Sequence, residues 1–272
     1  MKSPEYGVGL STPCISILQY PPNLGYVAVV ARLSSLARIA DIAQEQWGLV
    51  TRSQLERAGI PRTTMERLTA PDSSLERVAH GVYRLAGTPI PDHLDLRAAW
   101  LQLAPGIPVW ERETPREGVV SHQSAAAIYG IGHLPADRHE FTVPQRRQTR
   151  RPDVRIHVRH IDDGEWIAQQ GLPVTRPSRI ASDLLWDHED PEAVGQIVVD
   201  AIRRVFDYPG TFAGSLAPHA ARFGLRRADG IALLGWLLGL IGDPGTDQWM
   251  AAARVHVDRT SAQRAPAMGR GS

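Results

Sequence analysis

Cysteine and lysine are nearly absent from this chain of 272 residues. Cys14 is the only cysteine, which excludes an internal disulfide and a multi-thiolate zinc site and fits a reducing cytoplasm. Lys2 is the only lysine, so the chain has no phosphate-binding loop with its lysine and no Schiff-base candidate outside its terminus. A nuclease that needs a lysine beside two metal-binding carboxylates is disfavoured for the same reason.

The chain also lacks an excess of charge of one sign and a long apolar run. Its formal net charge is +1, so any affinity for nucleic acid must come from local clusters. The most apolar run, residues 231–241, is too short to span a bilayer and fits a buried helix better. No signal peptide is visible. We therefore expect a cytoplasmic protein without a membrane partner.

The segment from Leu36 to Gly87 has the pattern of a winged helix-turn-helix. Thr51 and Gln54 have the spacing of a capping box at the start of a second helix, and a third helix begins at Pro61. A hairpin with a two-residue turn at His80-Gly81 follows. Three short helices and a hairpin are typical of proteins that place one helix in a DNA groove, although such units can also serve only for protein contacts. The apolar stripe of the first helix is Leu36, Ile39, Ala40, Ala43 and Trp47.

The third helix carries the residues expected to contact bases. At roughly 100° per residue, Pro61, Met65 and Leu68 share the buried side, and Thr63 and Arg67 point away from it. Arg62 and Glu66 flank that outward face. Arginine can bind guanine through two donors, and a carboxylate can accept from cytosine.

The hairpin and the second helix supply candidates for phosphate contacts. A His80-Gly81 turn would pair Arg77 with Arg84 and Val78 with Tyr83. Like charges that face each other are unfavourable unless an anion lies between them, so a phosphate would suit this pair. The alternative is two solvated arginines that splay apart. On the second helix, the further candidates are Arg52 and Arg57.

The fold class predicted for the chain is α+β, with a winged helix followed by a mixed α/β domain. A linker containing Pro89 and Pro91 is expected to couple these two domains loosely. Asp92 is predicted to cap the helix that follows the linker. The predicted segments are a poorly ordered extension (1–32), the winged helix (33–88), the α/β domain (92–243) and a disordered tail (244–272).

Within the α/β domain, the predicted strands are Val119-Val120, Glu140–Val143, Arg155–Arg159 and Leu172–Thr175. The predicted helices are Gln123–Tyr129 with Ser121 as its cap, Pro177–Trp186, Pro191–Arg203 and Arg226–Ile241. Between two of the strands lies the densest basic stretch, Gln145–Arg151, which is either a nucleic-acid contact or a solvated loop.

Histidines near acidic residues suggest a metal cluster at first sight. His157 and His160 precede Asp162 and Asp163, but on a strand the two histidines fall on opposite faces. We therefore predict no metal site and no cofactor. His122 is expected to be a capping or core histidine, since no oriented acid partner can be named for a nucleophilic role.

Several segments resemble the AbiEi family of antitoxins. The resemblance covers roughly residues 36 to 204 and is most specific around Gly81-Val82-Tyr83. The chain departs from the family at Thr69 to Ser74, where Ala70-Pro71-Asp72 replaces a shorter, more basic junction. The segments that carry the resemblance are Gln46–Leu55, Ala58–Ile60, Glu76–Leu85, Val119–Ala126 and Thr175–Asp183.

The resemblance implies an antitoxin of a type IV toxin–antitoxin, or abortive infection, system. In that family the winged helix binds inverted repeats of its own promoter, and the second domain carries the antitoxic activity. The partner is a nucleotidyltransferase-like toxin, antagonised without the need for a stable complex. We accordingly predict a regulator that binds double-stranded DNA and is not an enzyme. The alternatives are a winged-helix regulator without a toxin and a nuclease-like protein targeted by its winged helix.

Overall fold

The computed structural model of the protein describes residues 35–264. The predicted extension of residues 1–32 therefore lies outside the described residues. From residue 35 to residue 88 the chain is a winged helix, whose strands form one antiparallel sheet in the order β1-β3-β2. Its elements are α1 (helical over the described residues 35–44), β1 (Leu49–Thr51), α2 (Arg52–Arg57), α3 (Arg62–Leu68), β2 (Leu75–Ala79) and β3 (Val82–Leu85).

Local signals set the beginning and end of these short helices. The predicted capping box is confirmed, because Thr51 Oγ1 accepts from the Gln54 amide at 3.1 Å and Gln54 Oε1 accepts from the Thr51 amide at 2.9 Å. Trp47 (φ 61°) and Gly48 (φ 79°) both have left-handed backbone, so α1 ends before them. The prediction that Trp47 belongs to the helical stripe is therefore wrong, because Trp47 lies beyond the end of α1.

The second part of the chain, from α4 to α10, combines a five-stranded mixed sheet with helices. The sheet order is β6-β5-β4-β8-β7, in which β5/β6 and β4/β8 are parallel and the other two pairs are antiparallel. Its strands are β4 (Val119–Val120), β5 (His139–Val143), β6 (Val154–Val158), β7 (Trp166–Gln169) and β8 (Leu172–Thr175). Its helices are α4 (Leu94–Leu103), α5 (His122–Tyr129), α6 (Pro177–Trp186), α7 (Pro191–Arg203), α8 (Pro209–Leu216), α9 (Gly230–Ile241) and α10 (Thr246–Arg264).

The α+β fold class is confirmed, with corrections in detail. Strand β7 and helix α8 were not predicted. The N-cap of α4 is His93 instead of Asp92. Ser121 is the N-cap of α5 as expected, but its side chain does not cap the helix and instead accepts a hydrogen bond from Thr142 Oγ1 at 2.8 Å.

The prediction of a disordered tail is wrong for residues 246–264. This polar segment forms α10, which packs against α8 and α9. Ala253 is fully buried in that contact, and Trp249 and Met250 are half-buried against the same core. A few small or apolar side chains are therefore enough to dock a helix whose overall composition is polar.

The winged helix and the second part share a hydrophobic core. Leu49 and Val82, on one face of the three-stranded sheet, are fully buried in the same cluster as Trp100 of α4. Trp47 meets Trp100 edge-on at 6.0 Å and lies under the Arg97 guanidinium at 4.4 Å. The expected loose coupling between the winged helix and the second part is wrong, because α4 covers the face of the three-stranded sheet that carries Leu49 and Val82. The other face packs on α1 to α3 through Ile39, Val50, Leu55, Met65, Leu68 and Leu75.

Candidate nucleic-acid interface

Helix α3 presents a polar face to solvent. Met65 and Leu68 are buried as predicted, and Thr64 joins them on the inner side. The prediction is wrong for Pro61, which is exposed because it is the N-cap and lies outside the helix. The exposed positions are the predicted ones, Arg62, Thr63, Glu66 and Arg67. The structure therefore brings the predicted base-contacting residues together on one accessible surface.

The two arginines of this face differ in their contacts. Arg62 Nε donates to Glu66 Oε1 at 2.9 Å, and the two side chains are 76% and 62% exposed. Arg67 has no carboxylate partner among the described residues, and its Nη2 lies 3.4 Å from Thr64 Oγ1. An ion pair as exposed as Arg62–Glu66 contributes about 0–1 kcal/mol, so Arg62 can exchange its partner for a phosphate at little cost.

The register of the hairpin differs from the prediction. The two-residue turn at His80-Gly81 is present, but a β-bulge lies between Arg77 and Ala79. The extra residue shifts the pairing, so that Arg84 faces Glu76 and Arg77 faces Tyr83. The predicted pairing of Arg77 with Arg84 is therefore wrong, since a shift of one residue moves each side chain to a different partner and face.

This shift separates the roles of the two hairpin arginines. The Arg84 side chain is 12% exposed and donates to Glu76 and to the Thr88 carbonyl. Arg77 is exposed, and its Nη2 lies 3.4 Å from His80 Nδ1. Arg77 is free to meet an anion, whereas Arg84 already neutralises a carboxylate.

The wing is the β2–β3 hairpin, and its tip is held from two sides. The Arg52 amide donates to the Gly81 carbonyl at 2.8 Å, which fixes the tip beside the start of α2. Gln102 of α4 donates to the His80 carbonyl at 2.7 Å. The Arg52 side chain is 50% exposed and pairs with Glu56 at 2.8 Å, and it lines a shallow pocket with Arg62. The wing tip is thus joined to the start of α2 and to α4, with Arg52 beside it.

The basic stretch 145–151 lies beside the wing. Arg151 Nη1 donates to Gln102 Oε1 at 2.6 Å, and this is the glutamine that binds the wing tip. Arg151 also hydrogen-bonds to Asp153 and lowers the pKa of that carboxyl to about 2. Arg147 donates to the Leu103 carbonyl at 2.6 Å. Two arginines of the stretch therefore hold the loop in place, while Arg146 and Arg150 are exposed. A second-helix candidate, Arg57, instead pairs with Glu111 at 2.9 Å.

The order of elements, with an exposed basic helix and a hairpin, defines a winged helix of the type found in DNA-binding proteins. Residues 37–86 match the model of a family described as a transcriptional regulator, AbiEi antitoxin. The resemblance to the AbiEi family is thereby confirmed for this segment, and the match supports a regulatory role. No curated protein matches the chain. Within residues 35–264 there is no helix with the length and apolar character that crossing a membrane requires.

The structure also contains a buried charged cluster that the sequence did not predict. As expected, His157 and His160 separate: His157 is 8% exposed, whereas His160 is on the surface and pairs with Asp162 at 2.8 Å. His122 is a core residue, as expected, and its ring stacks on that of His157 with centroids 3.6 Å apart. Asp187, the C-cap of α6, lies beside both rings. These residues are far apart in sequence and have no motif spacing, so only their inward-facing positions could have suggested the cluster.

Proposed function

We propose that this protein is a transcriptional regulator that binds double-stranded DNA, with α3 in the major groove and the wing on the backbone. Its target is inverted repeats in its own promoter. The observation that carries the proposal is the exposed polar face of α3, which presents Arg62, Thr63 and Arg67, while the opposite face is buried in the core. The family description of residues 37–86 supports the same conclusion.

The contacts of each arginine suggest its role. Arg67, which no described carboxylate neutralises, is assigned to a base edge. Arg62 and Arg52 exchange Glu66 and Glu56 for phosphates. Arg77 meets the backbone from the wing. We leave Arg84 out of the interface because Glu76 and the Thr88 carbonyl occupy its guanidinium.

Fluorescence anisotropy with the promoter duplex and a scrambled duplex tests this proposal. Arg67→Ala is expected to weaken binding to the promoter by about 1–3 kcal/mol and to reduce discrimination between the duplexes. Arg226→Ala, an exposed arginine of the C-terminal helical region, serves as the matched control and should bind as the wild type does. An equal loss on both duplexes for Arg67→Ala would refute its role as a reader of bases.

We further infer an antitoxin role in a type IV toxin–antitoxin system, in which a nucleotidyltransferase-like toxin is antagonised. The family description supports this step, and we assign the antitoxic activity to the second part of the chain. Because the two parts share a core around Leu49 and Val82, point variants separate the two activities better than truncations do.

Co-expression with the product of the neighbouring gene tests the antitoxin role. The wild-type chain and Arg67→Ala should both restore growth, while only the wild type represses a promoter reporter. If neither chain restores growth, the antitoxin proposal fails, and a regulator without a toxin partner remains. If Arg67→Ala represses but does not rescue, the assignment of the two activities is wrong.

A further inference from the structure

Three side chains from separate elements converge in the core of the second part. His122 begins α5, His157 lies in β6, and Asp187 follows α6. Asp187 Oδ2 lies 3.8 Å from His122 Nε2 and 3.7 Å from His157 Nδ1. The three potential ligand atoms all lie within 4.8 Å of one another. Imidazole nitrogens and a carboxylate oxygen are the ligands that zinc takes most readily after thiolate.

One of these atoms lacks a hydrogen-bond partner among the described residues. His122 is 1% exposed, yet its Nε2 makes no hydrogen bond, whereas Asp187 Oδ2 has the Arg155 guanidinium 3.0 Å away. A buried polar atom without a partner costs about 1–3 kcal/mol, which is why such atoms are rare in native proteins. A cation bound between His122 Nε2 and the Asp187 carboxylate, which lie 3.8 Å apart, would give His122 Nε2 the partner that it lacks.

In each imidazole ring, the second nitrogen already has an oxygen neighbour. His122 Nδ1 lies 2.9 Å from Ser121 Oγ, and His157 Nε2 lies 3.2 Å from Glu140 Oε1. When His157 donates from Nε2 to Glu140, its Nδ1 carries a lone pair and faces Asp187. The Nδ1 lone pair and the carboxylate oxygen are both hydrogen-bond acceptors, so no hydrogen bond can form between them. Histidines that bind metals have the same arrangement, with the second nitrogen held by a carboxylate or another oxygen.

Protonation of His122 is strongly opposed by its surroundings. Burial, together with the positive charges of nearby groups, lowers its pKa to about 2. A neutral imidazole is the form that binds a metal.

We propose that His122 Nε2, His157 Nδ1 and Asp187 Oδ2 bind one divalent transition-metal ion, with zinc the best match. In a tetrahedral zinc site with bonds of about 2.0–2.1 Å the ligand atoms are about 3.4 Å apart. The observed separations of 3.7 and 3.8 Å therefore need to contract by a few tenths of an ångström, and the two histidine nitrogens, which lie within 4.8 Å of each other, must also approach that distance. The rings are nearly parallel, at 12°, and must tilt so that their lone pairs converge. The fourth position is left for water or an exogenous ligand.

Two arginines compete with the ion for Asp187. Arg155 Nη2 lies 3.0 Å from Oδ2, and Arg159 Nη2 lies 3.2 Å from Oδ1. The Arg155 side chain is 51% exposed, so it can turn toward solvent when an ion binds. Arg159 stays on the other oxygen and orients the carboxylate. The ion would then join α5, β6 and α6 at one point.

The test is metal binding by the full chain after removal of metal with a chelator. Zinc titration with elemental analysis should give one ion per chain and a higher melting temperature. Cobalt should give the visible absorption of a tetrahedral site. Histidine and aspartate variants, His157→Gln and Asp187→Asn, should lose that ion, and Glu140→Gln should weaken binding by about 10- to 100-fold.

A second histidine–aspartate pair provides the matched control. His160 and Asp162 lie 2.8 Å apart on the surface, so His160→Gln and Asp162→Asn should leave stoichiometry and the cobalt spectrum unchanged. Circular dichroism separates loss of the ion from loss of the fold. A wild-type chain that binds no stoichiometric zinc would overturn the proposal and leave a metal-free ionic cluster. Loss of the ion in the surface variants but not in His157→Gln would overturn it as well.

Discussion

Replacing Gln54 with alanine should destabilise the whole chain, because this side chain joins the winged helix to the second part. Gln54 is 2% exposed. Its Oε1 accepts from the Thr51 amide at 2.9 Å and from Gln46 Nε2 at 2.7 Å. Its Nε2 donates to Gln46 Oε1 at 3.1 Å and to the Ile107 carbonyl at 3.3 Å, beyond α4. The two glutamines thus form a buried amide pair between the capping box and the second part.

The size of the effect follows from the groups that alanine would leave without partners. The Thr51 amide and both ends of the Gln46 amide would lose a hydrogen bond in a region that excludes water. Each buried group left in this way costs about 1–3 kcal/mol, and the truncated side chain also leaves a cavity. We expect the free energy of unfolding to fall by about 3–5 kcal/mol, which lowers Tm by roughly 10 °C.

Urea denaturation of the full chain, followed by tryptophan fluorescence and circular dichroism, measures this effect. Gln44→Ala is the matched control, because Gln44 is an exposed residue of α1. Its free energy of unfolding should change by less than about 0.5 kcal/mol. If Gln54→Ala and Gln44→Ala unfold at the same urea concentration, the buried amide pair does not stabilise the chain and the reasoning is wrong.

Four further predictions concern the wing, the domain contact, the last helix and pH. Arg77→Ala should weaken binding to all duplexes alike and reduce the slope of log K against log salt concentration by about 0.9, whereas Arg84→Ala should mainly lower Tm. Equal slopes for the two variants would contradict this division. The winged helix expressed alone should melt below the full chain in circular dichroism, because Leu49 and Val82 become exposed. Removing α10 should lower Tm in differential scanning fluorimetry, and an unchanged Tm would show that α10 does not stabilise the core. Burial lowers the pKa of His219 below its usual 6.5, so the unfolded chain binds a proton that the native chain does not. Stability should therefore fall as the pH drops below about 6.5, and urea titrations at several pH values should show a smaller fall for His219→Gln.

Much of the winged helix was predictable because its signals are local. The capping box at Thr51 and Gln54, the glycines after the helices and the two-residue turn all act within a few residues. The hairpin register was not predictable in the same way. A bulge between Arg77 and Ala79 adds one residue to one strand, and no neighbouring residue signals it. That single shift moved Arg84 from a predicted phosphate contact to a partner of Glu76.

The sequence by itself determined the class of fold, the exposed face of α3 and the resemblance of residues 37–86 to AbiEi regulators. These features depend on periodicity and capping, which operate over one or two helical turns. Only the tertiary structure decided which surfaces remain free. It buried the outer face of the wing sheet under α4, docked α10 through Ala253, and gathered His122, His157 and Asp187 in one place. Such contacts depend on how distant segments pack, and that packing is a property of the whole chain, so no local pattern of residues reveals it.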